Sequence, residues 1–92
     1  MRFTLAVGHT ERHLVEFNFN QLRGTLNIQV DSRTIFQSRR LFNEPVNEVY
    51  QFVIDGAEQS QVRIEKHRKP LFGHRNTVYV NGRINRVIDR YF

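Results

Sequence analysis

Alternation of apolar and polar residues dominates this 92-residue chain. In His13-Leu14-Val15-Glu16-Phe17-Asn18-Phe19, the side chains of Val15, Phe17 and Phe19 fall on one face. Leu26, Ile28 and Val30 repeat the pattern, and so do Val62 and Ile64. Phe3, Leu5 and Val7 open the chain in the same way, and Thr77-Val78-Tyr79-Val80 closes the series. A period of two marks a half-buried strand, because successive side chains of extended backbone point to opposite faces. Val49-Tyr50-Gln51-Phe52-Val53-Ile54 is apolar nearly throughout and reads as a more central strand. The gaps are short, and several hold Gly, Asn, Asp or Ser, which supply turn geometry. The pattern predicts an all-β chain: an antiparallel β-sandwich of about seven strands, forming one domain over residues 1–92.

The last segment breaks the alternation. Ile84, Val87, Ile88 and Tyr91 recur at i, i+3, i+4 and i+7, the stripe of an amphipathic helix. The spacing predicts a short C-terminal helix over 84–92 that must dock to persist. The competing reading is a final edge strand with a bulge. Just before it stands Val80-Asn81-Gly82-Arg83, which has two relatives, Val30-Asp31-Ser32-Arg33 and Ile54-Asp55-Gly56-Ala57. Asn-Gly and Asp-Gly tolerate positive φ at both central positions of a type I′ turn. Three copies, each following an apolar run, are read as three hairpin turns rather than three recognition tripeptides.

Charge changes the picture more than composition does. The formal net charge is +5, but residues 1–60 hold six Arg against seven acids and residues 61–92 hold eight Lys and Arg against two. The excess therefore sits in the last third, and it is mostly arginine, the side chain suited to planar contacts with carboxylates and phosphates. Lys66-His67-Arg68-Lys69-Pro70-Leu71-Phe72-Gly73-His74-Arg75 is the most distinctive stretch: basic groups flank an apolar tip, shaped by Pro70 and Gly73. Single-stranded nucleic-acid sites combine such features for charge neutralisation and stacking. The plainer readings are that Leu71 and Phe72 fold back over the core while the charges are solvated, or that the tip meets a protein. The candidate binding residues are Lys66, Arg68, Lys69, Leu71, Phe72, His74, Arg75, Arg83, Arg86 and Arg90.

Catalytic chemistry finds little footing. Neither G-x-S-x-G nor a phosphate-cradling G-x-x-x-x-G-K occurs, and the acids are scattered. Cysteine is absent, which removes disulfides, Cys-zinc sites and thiol catalysis. His9 and His13 have an H-x-x-x-H spacing, but Gly8 precedes them and a strand starts at His13, so no helix sets them on one face. No metal or cofactor is expected. Arg39 and Arg40, if in a strand, point to opposite faces, with Glu44 or Glu48 as possible acids for the inner one. Apolar runs are too short to span a bilayer, and the N-terminus is not built like a signal peptide, so a soluble cytoplasmic protein is expected.

The combination His13-x-Val15-Glu16-Phe17, then Gly24, then Ile28-x-Val30-Asp31, then an apolar strand, then Val80-Asn81-Gly82-Arg83 resembles the Fas apoptotic inhibitory molecule family. The likeness spans residues 9–88, with Ser32 standing where that family tends to have Gly. It implies an antiparallel β-sandwich and binding roles in cell-death signalling and protection against aggregation, with no catalytic residues to carry over. Two functions follow as expectations: a non-enzymatic protein-interaction module with an unidentified protein partner, working through a sheet edge or the 71–72 tip, or binding of nucleic acid or another polyanion by the basic third.

Overall fold

Two tight turns are built from residues that accept positive φ. Asp31 (φ 50°) and Ser32 (φ 66°) join one strand pair, and Asn81 (φ 52°) and Gly82 (φ 79°) join another. Positive φ at both central positions is the type I′ geometry, whose twist matches the flanking strands. In the computed structural model, which describes residues 1–20, 23–39, 46–56, 58–69 and 73–90, these turns belong to two compact units, residues 1–44 and 45–92.

The first unit is a meander of β1 (Arg2–Val7), β2 (His13–Asn20), β3 (Thr25–Val30) and β4 (Arg33–Arg39), in the spatial order β1-β2-β3-β4. The second repeats the plan with β5 (Asn47–Ile54), β6 (Ser60–Arg68), β7 (His74–Val80) and β8 (Arg83–Arg90). All pairings are antiparallel. The described residues are thus all-β, with eight strands rather than about seven. No helix occurs among the described residues, so none is long and apolar enough to cross a membrane.

Three expectations are corrected. Residues 83–90 form strand β8, not a helix. A bulge causes the misleading spacing: Val78 pairs with Arg86 but Tyr79 with Ile84, so Asn85 is an extra residue. A bulge reverses the facing of everything beyond it. Ile84 and Val87, three apart, therefore share a face as they would on a helix. Val49–Ile54 lies within β5, which is an edge strand, not a central one. Finally, Ile54 pairs with Ser60 across a five-residue connection, 55–59, so Asp55-Gly56 is not a two-residue turn.

The two meanders correspond in register, apart from a β6–β7 hairpin three residues longer than the β2–β3 one. In each, the turn's first residue reaches back to the strand two removed. Asp31 Oδ1 accepts from Leu14 N–H (2.9 Å), and Asn81 Oδ1 accepts from Gln61 N–H (2.8 Å). The backbone answers in kind, with Asp31 N–H donating to the Leu14 carbonyl (2.9 Å) and Asn81 N–H to that of Gln61 (2.8 Å). The bulge recurs too, with Ile35 extra in β4 where Asn85 is extra in β8. The registers agree: Phe3–Phe17–Ile28 matches Tyr50–Ile64–Val78, and Leu5–Val15–Val30 matches Phe52–Val62–Val80. One face of the first sheet buries Phe3, Leu5, Val7, Val15, Phe17, Phe19, Leu26 and Ile28, with the Phe3 and Phe17 rings stacked at 4.7 Å. One face of the second buries Tyr50, Ile54, Val62, Ile64, Val78 and Ile88.

Candidate functional site on the second sheet

The basic residues singled out by sequence do not form one patch. Strand parity puts Lys66 in line with Val62 and Ile64, and His74 in line with Asn76 and Val78, so both fall on the buried face; they are 3% and 2% exposed. They are not surface residues, and each has interactions of its own. Cross-strand partners Lys66 and Asn76 occupy the place that Phe19 and Leu26 fill in the first sheet. Arg68, half-buried, pairs with His74, and His74 with Arg90. Arg75 lies on the opposite face, where its guanidinium donates to Asp89 through Nε (2.8 Å) and Nη2 (3.3 Å). Lys69 Nζ is 3.3 Å from the same carboxylate, which these two cations hold below the usual Asp range, the Arg75 hydrogen bonds foremost. Arg86 is exposed on β8, and Arg83 is exposed beside the 81–82 turn, at the other end of that strand from Arg90. Leu71, Phe72, Arg40 and Glu44 lie outside the described residues; Arg39 is exposed at the end of β4.

A strand does start at His13, as the sequence suggests. His9 lies in the bend before β2, and His13 begins β2 on its inward-facing parity. His13 Nδ1 lies 2.6 Å from Asp31 Oδ2, and the Glu11 carboxylate is 2.9 Å from Nε2. The hydrogen bond to Asp31 raises the His13 pKa above its ordinary value, with Glu11 adding to it, and the same bond lowers that of Asp31. Among the described residues no group of three His, Asp or Glu is placed to hold a metal ion.

A more distinctive surface is the exposed face of the second sheet, and the first sheet shows why. At equivalent positions the first sheet carries Arg2, Thr34, Gln29 and Gln37, and the second carries Val49, Ile84, Tyr79 and Val87. Ala6 is matched by the larger Val53. Val49, Val53, Ile84 and Val87 are 53%, 50%, 63% and 51% exposed. The first sheet is not wholly polar there, since Leu14 is exposed where the second has Gln61. Yet this fold evidently forms without Val, Ile and Tyr at those places, so folding alone does not account for them.

The face has a charged spine between two aliphatic margins. Two cross-strand rows define it, Gln51–Arg63–Tyr79–Ile84 and Val49–Glu65–Thr77–Val87. Arg63 lies over the Tyr79 ring, 4.1 Å from its centroid, in a cation–π contact. Glu65 Oε2 is 3.1 Å from Arg63 Nε. A concavity of about 350 Å³ lies beside them, lined by Val53, Gln61, Arg63, Tyr79 and Gly82. A third row is polar: His67 Nδ1 lies 2.6 Å from Asn47 Oδ1, next to the Arg75–Asp89 pair.

Sequence reasoning passed over this face, although a signal was present. Val49 and Val53 alternate with Tyr50, Phe52 and Ile54, so β5 is apolar on both faces. An edge strand that is apolar on both faces has an apolar surface left over. No protein-family model, curated protein or solved structure matches this chain, so the resemblance to the Fas apoptotic inhibitory molecule family rests on its own quoted residues.

Proposed function

We propose that the protein is a non-enzymatic protein-interaction module of the β-sandwich class, binding through the exposed face of its second sheet. One observation carries the reading: four aliphatic side chains are at least half exposed there, while the matching positions of the first sheet hold Arg2, Ala6, Thr34 and Gln37. Aliphatic groups clustered on one exposed face mark contact surfaces more than isolated exposed ones do. The margins would supply apolar area, and Arg63, stacked on Tyr79, an anchor of the kind enriched at interface centres. The resemblance to the Fas apoptotic inhibitory molecule family points to binding roles as well. Polyanion binding draws less support, because Lys66 and His74 are buried and Arg75 and Lys69 share Asp89.

Affinity capture with matched variants tests the reading. Ile84→Lys with Val87→Lys alters the second sheet; Thr34→Lys with Gln37→Lys adds the same charge at the equivalent places of the first. Partners retained by wild type and by the first-sheet variant, but lost from the second-sheet variant, are expected. Equal retention by both variants would refute the assignment of the face.

A further inference from the structure

The two rows that define the exposed face are complementary to each other. We infer that this face binds a second copy of the same chain, as a two-fold symmetric, face-to-face dimer with antiparallel β6 strands. This deepens the reading above and rests on it, since it names the partner for the same face.

The register dictates the geometry. Place a two-fold axis between the two sheets, running across the strands and midway between the rows. It lays Gln51–Arg63–Tyr79–Ile84 of one copy over Val49–Glu65–Thr77–Val87 of the other. Arg63 then meets the second copy's Glu65, Ile84 meets its Val87, and Tyr79 meets its Thr77. Each contact occurs twice, as an isologous interface requires. The other simple arrangement, with the axis along β6, sets Arg63 against Arg63 and Glu65 against Glu65. Charge therefore selects the antiparallel dimer. The contact between Arg63 and Glu65 within one copy is no obstacle, because a guanidinium has five N–H donors and a carboxylate several acceptor sites. A two-fold contact also leaves no unpaired copy of the face, so assembly stops at two.

Size sets the expected strength. Four strands about 4.8 Å apart and about six residues long at about 3.4 Å each make a face on the order of 400 Å². Two such faces bury less than a standard specific interface, so the dimer belongs to the weak, reversible class.

Analytical ultracentrifugation of the full chain, from micromolar to near-millimolar, reads this directly. A reversible monomer–dimer equilibrium is expected for wild type. Arg63→Glu sets acid against acid and Glu65→Arg sets base against base, so each alone should weaken dimerisation more than about tenfold. An equimolar mixture of the two variants should restore it, because every cross-copy contact again joins opposite charges. Thermal melts verify that each variant is folded, and Ile84→Lys, at a well-exposed position, is the second variant should a charge reversal fail to fold. Three results would overturn the dimer: wild type monomeric throughout, association unaffected by folded Arg63→Glu or Ile84→Lys, or a mixture no stronger than either folded variant alone. A monomeric wild type whose captured partners still depend on Ile84 and Val87 removes only the dimer. A monomer whose partners ignore those residues removes the interaction face as well.

Discussion

Gly82→Ala isolates one contribution to folding. Gly82 has a φ of 79°, and a Cβ built on it meets no atom within 4 Å. Steric crowding by neighbours is therefore excluded, and the cost is that of holding an L-residue in left-handed backbone, about 1–2 kcal/mol. Alanine also restricts the unfolded chain, which returns about 0.4–1 kcal/mol. The net loss is about 1 kcal/mol, a fall in Tm of about 4–8 °C for a domain this size. Gly82→Asn should lose less, since asparagine tolerates this region, and Gly82→Val more, since a β-branched residue there is a true outlier. The first sheet supplies the reverse experiment. Ser32 already sits at φ 66° in the equivalent turn, so Ser32→Gly should raise stability by a similar amount. Urea denaturation followed by circular dichroism measures all four variants. If Gly82→Ala matches wild type, or Ser32→Gly is no more stable, the turns do not adopt this geometry in solution.

Three further predictions follow from the packing and the charges. Phe17, fully buried and stacked on Phe3, should cost about 3–5 kcal/mol on truncation to alanine, whereas Arg83→Ala, at an exposed turn position, should leave stability within about 0.5 kcal/mol; comparable denaturation midpoints would contradict the assignment of the buried face. The His13–Asp31 pair sets a pH window: His13, raised above 6.5, stabilises fully below that value and less as pH rises through its folded pKa, while Asp31, lowered below 3.8, stabilises fully above that value and less as pH falls through its own. Wild-type Tm minus that of Asp31→Asn should therefore be greatest between those limits, and a flat difference from pH 3 to 9 would refute the linkage. Asp89→Asn removes the negative charge that Arg75 and Lys69 share; heparin retention should increase, and unchanged retention would show that this part of the surface does not face a polyanion.

Much of the buried framework, edge strand β1 included, was legible in the sequence, and the two bulged edges were not. Alternation located β2, β3, β6 and β7 because each central strand buries one face, and chemistry follows burial. The bulged edges resisted. In β4 only Ser38 is even half-buried, so its pattern carries no alternation of burial to detect. In β8 the extra Asn85 shifted the phase enough to imitate a helix. The Asn-Gly and Asp-Ser turns were legible because φ is written into residue type, whereas Asp55-Gly56 has the same letters in a longer loop. Of the candidate site, the basic charge was visible but its placement was not: Lys66 and His74 are polar letters in buried positions, where residue type points to the surface and strand parity points inward. The exposed apolar face became visible only once the two sheets could be aligned in register.

The Asn81–Gly82 turn also bears on how the protein ages. Asparagine before glycine is the dipeptide whose side-chain amide is most open to attack by the next backbone nitrogen, losing ammonia to give a succinimide that hydrolyses to aspartate or isoaspartate. Aspartate at 81 would reproduce the chemistry of Asp31, whose carboxylate accepts from the Leu14 N–H just as Asn81 accepts from Gln61. Isoaspartate would instead lengthen the main chain by one atom inside a turn where both residues already hold positive φ. One hydrolysis product therefore leaves the second sheet resembling the first, and the other breaks the hairpin that presents Ile84.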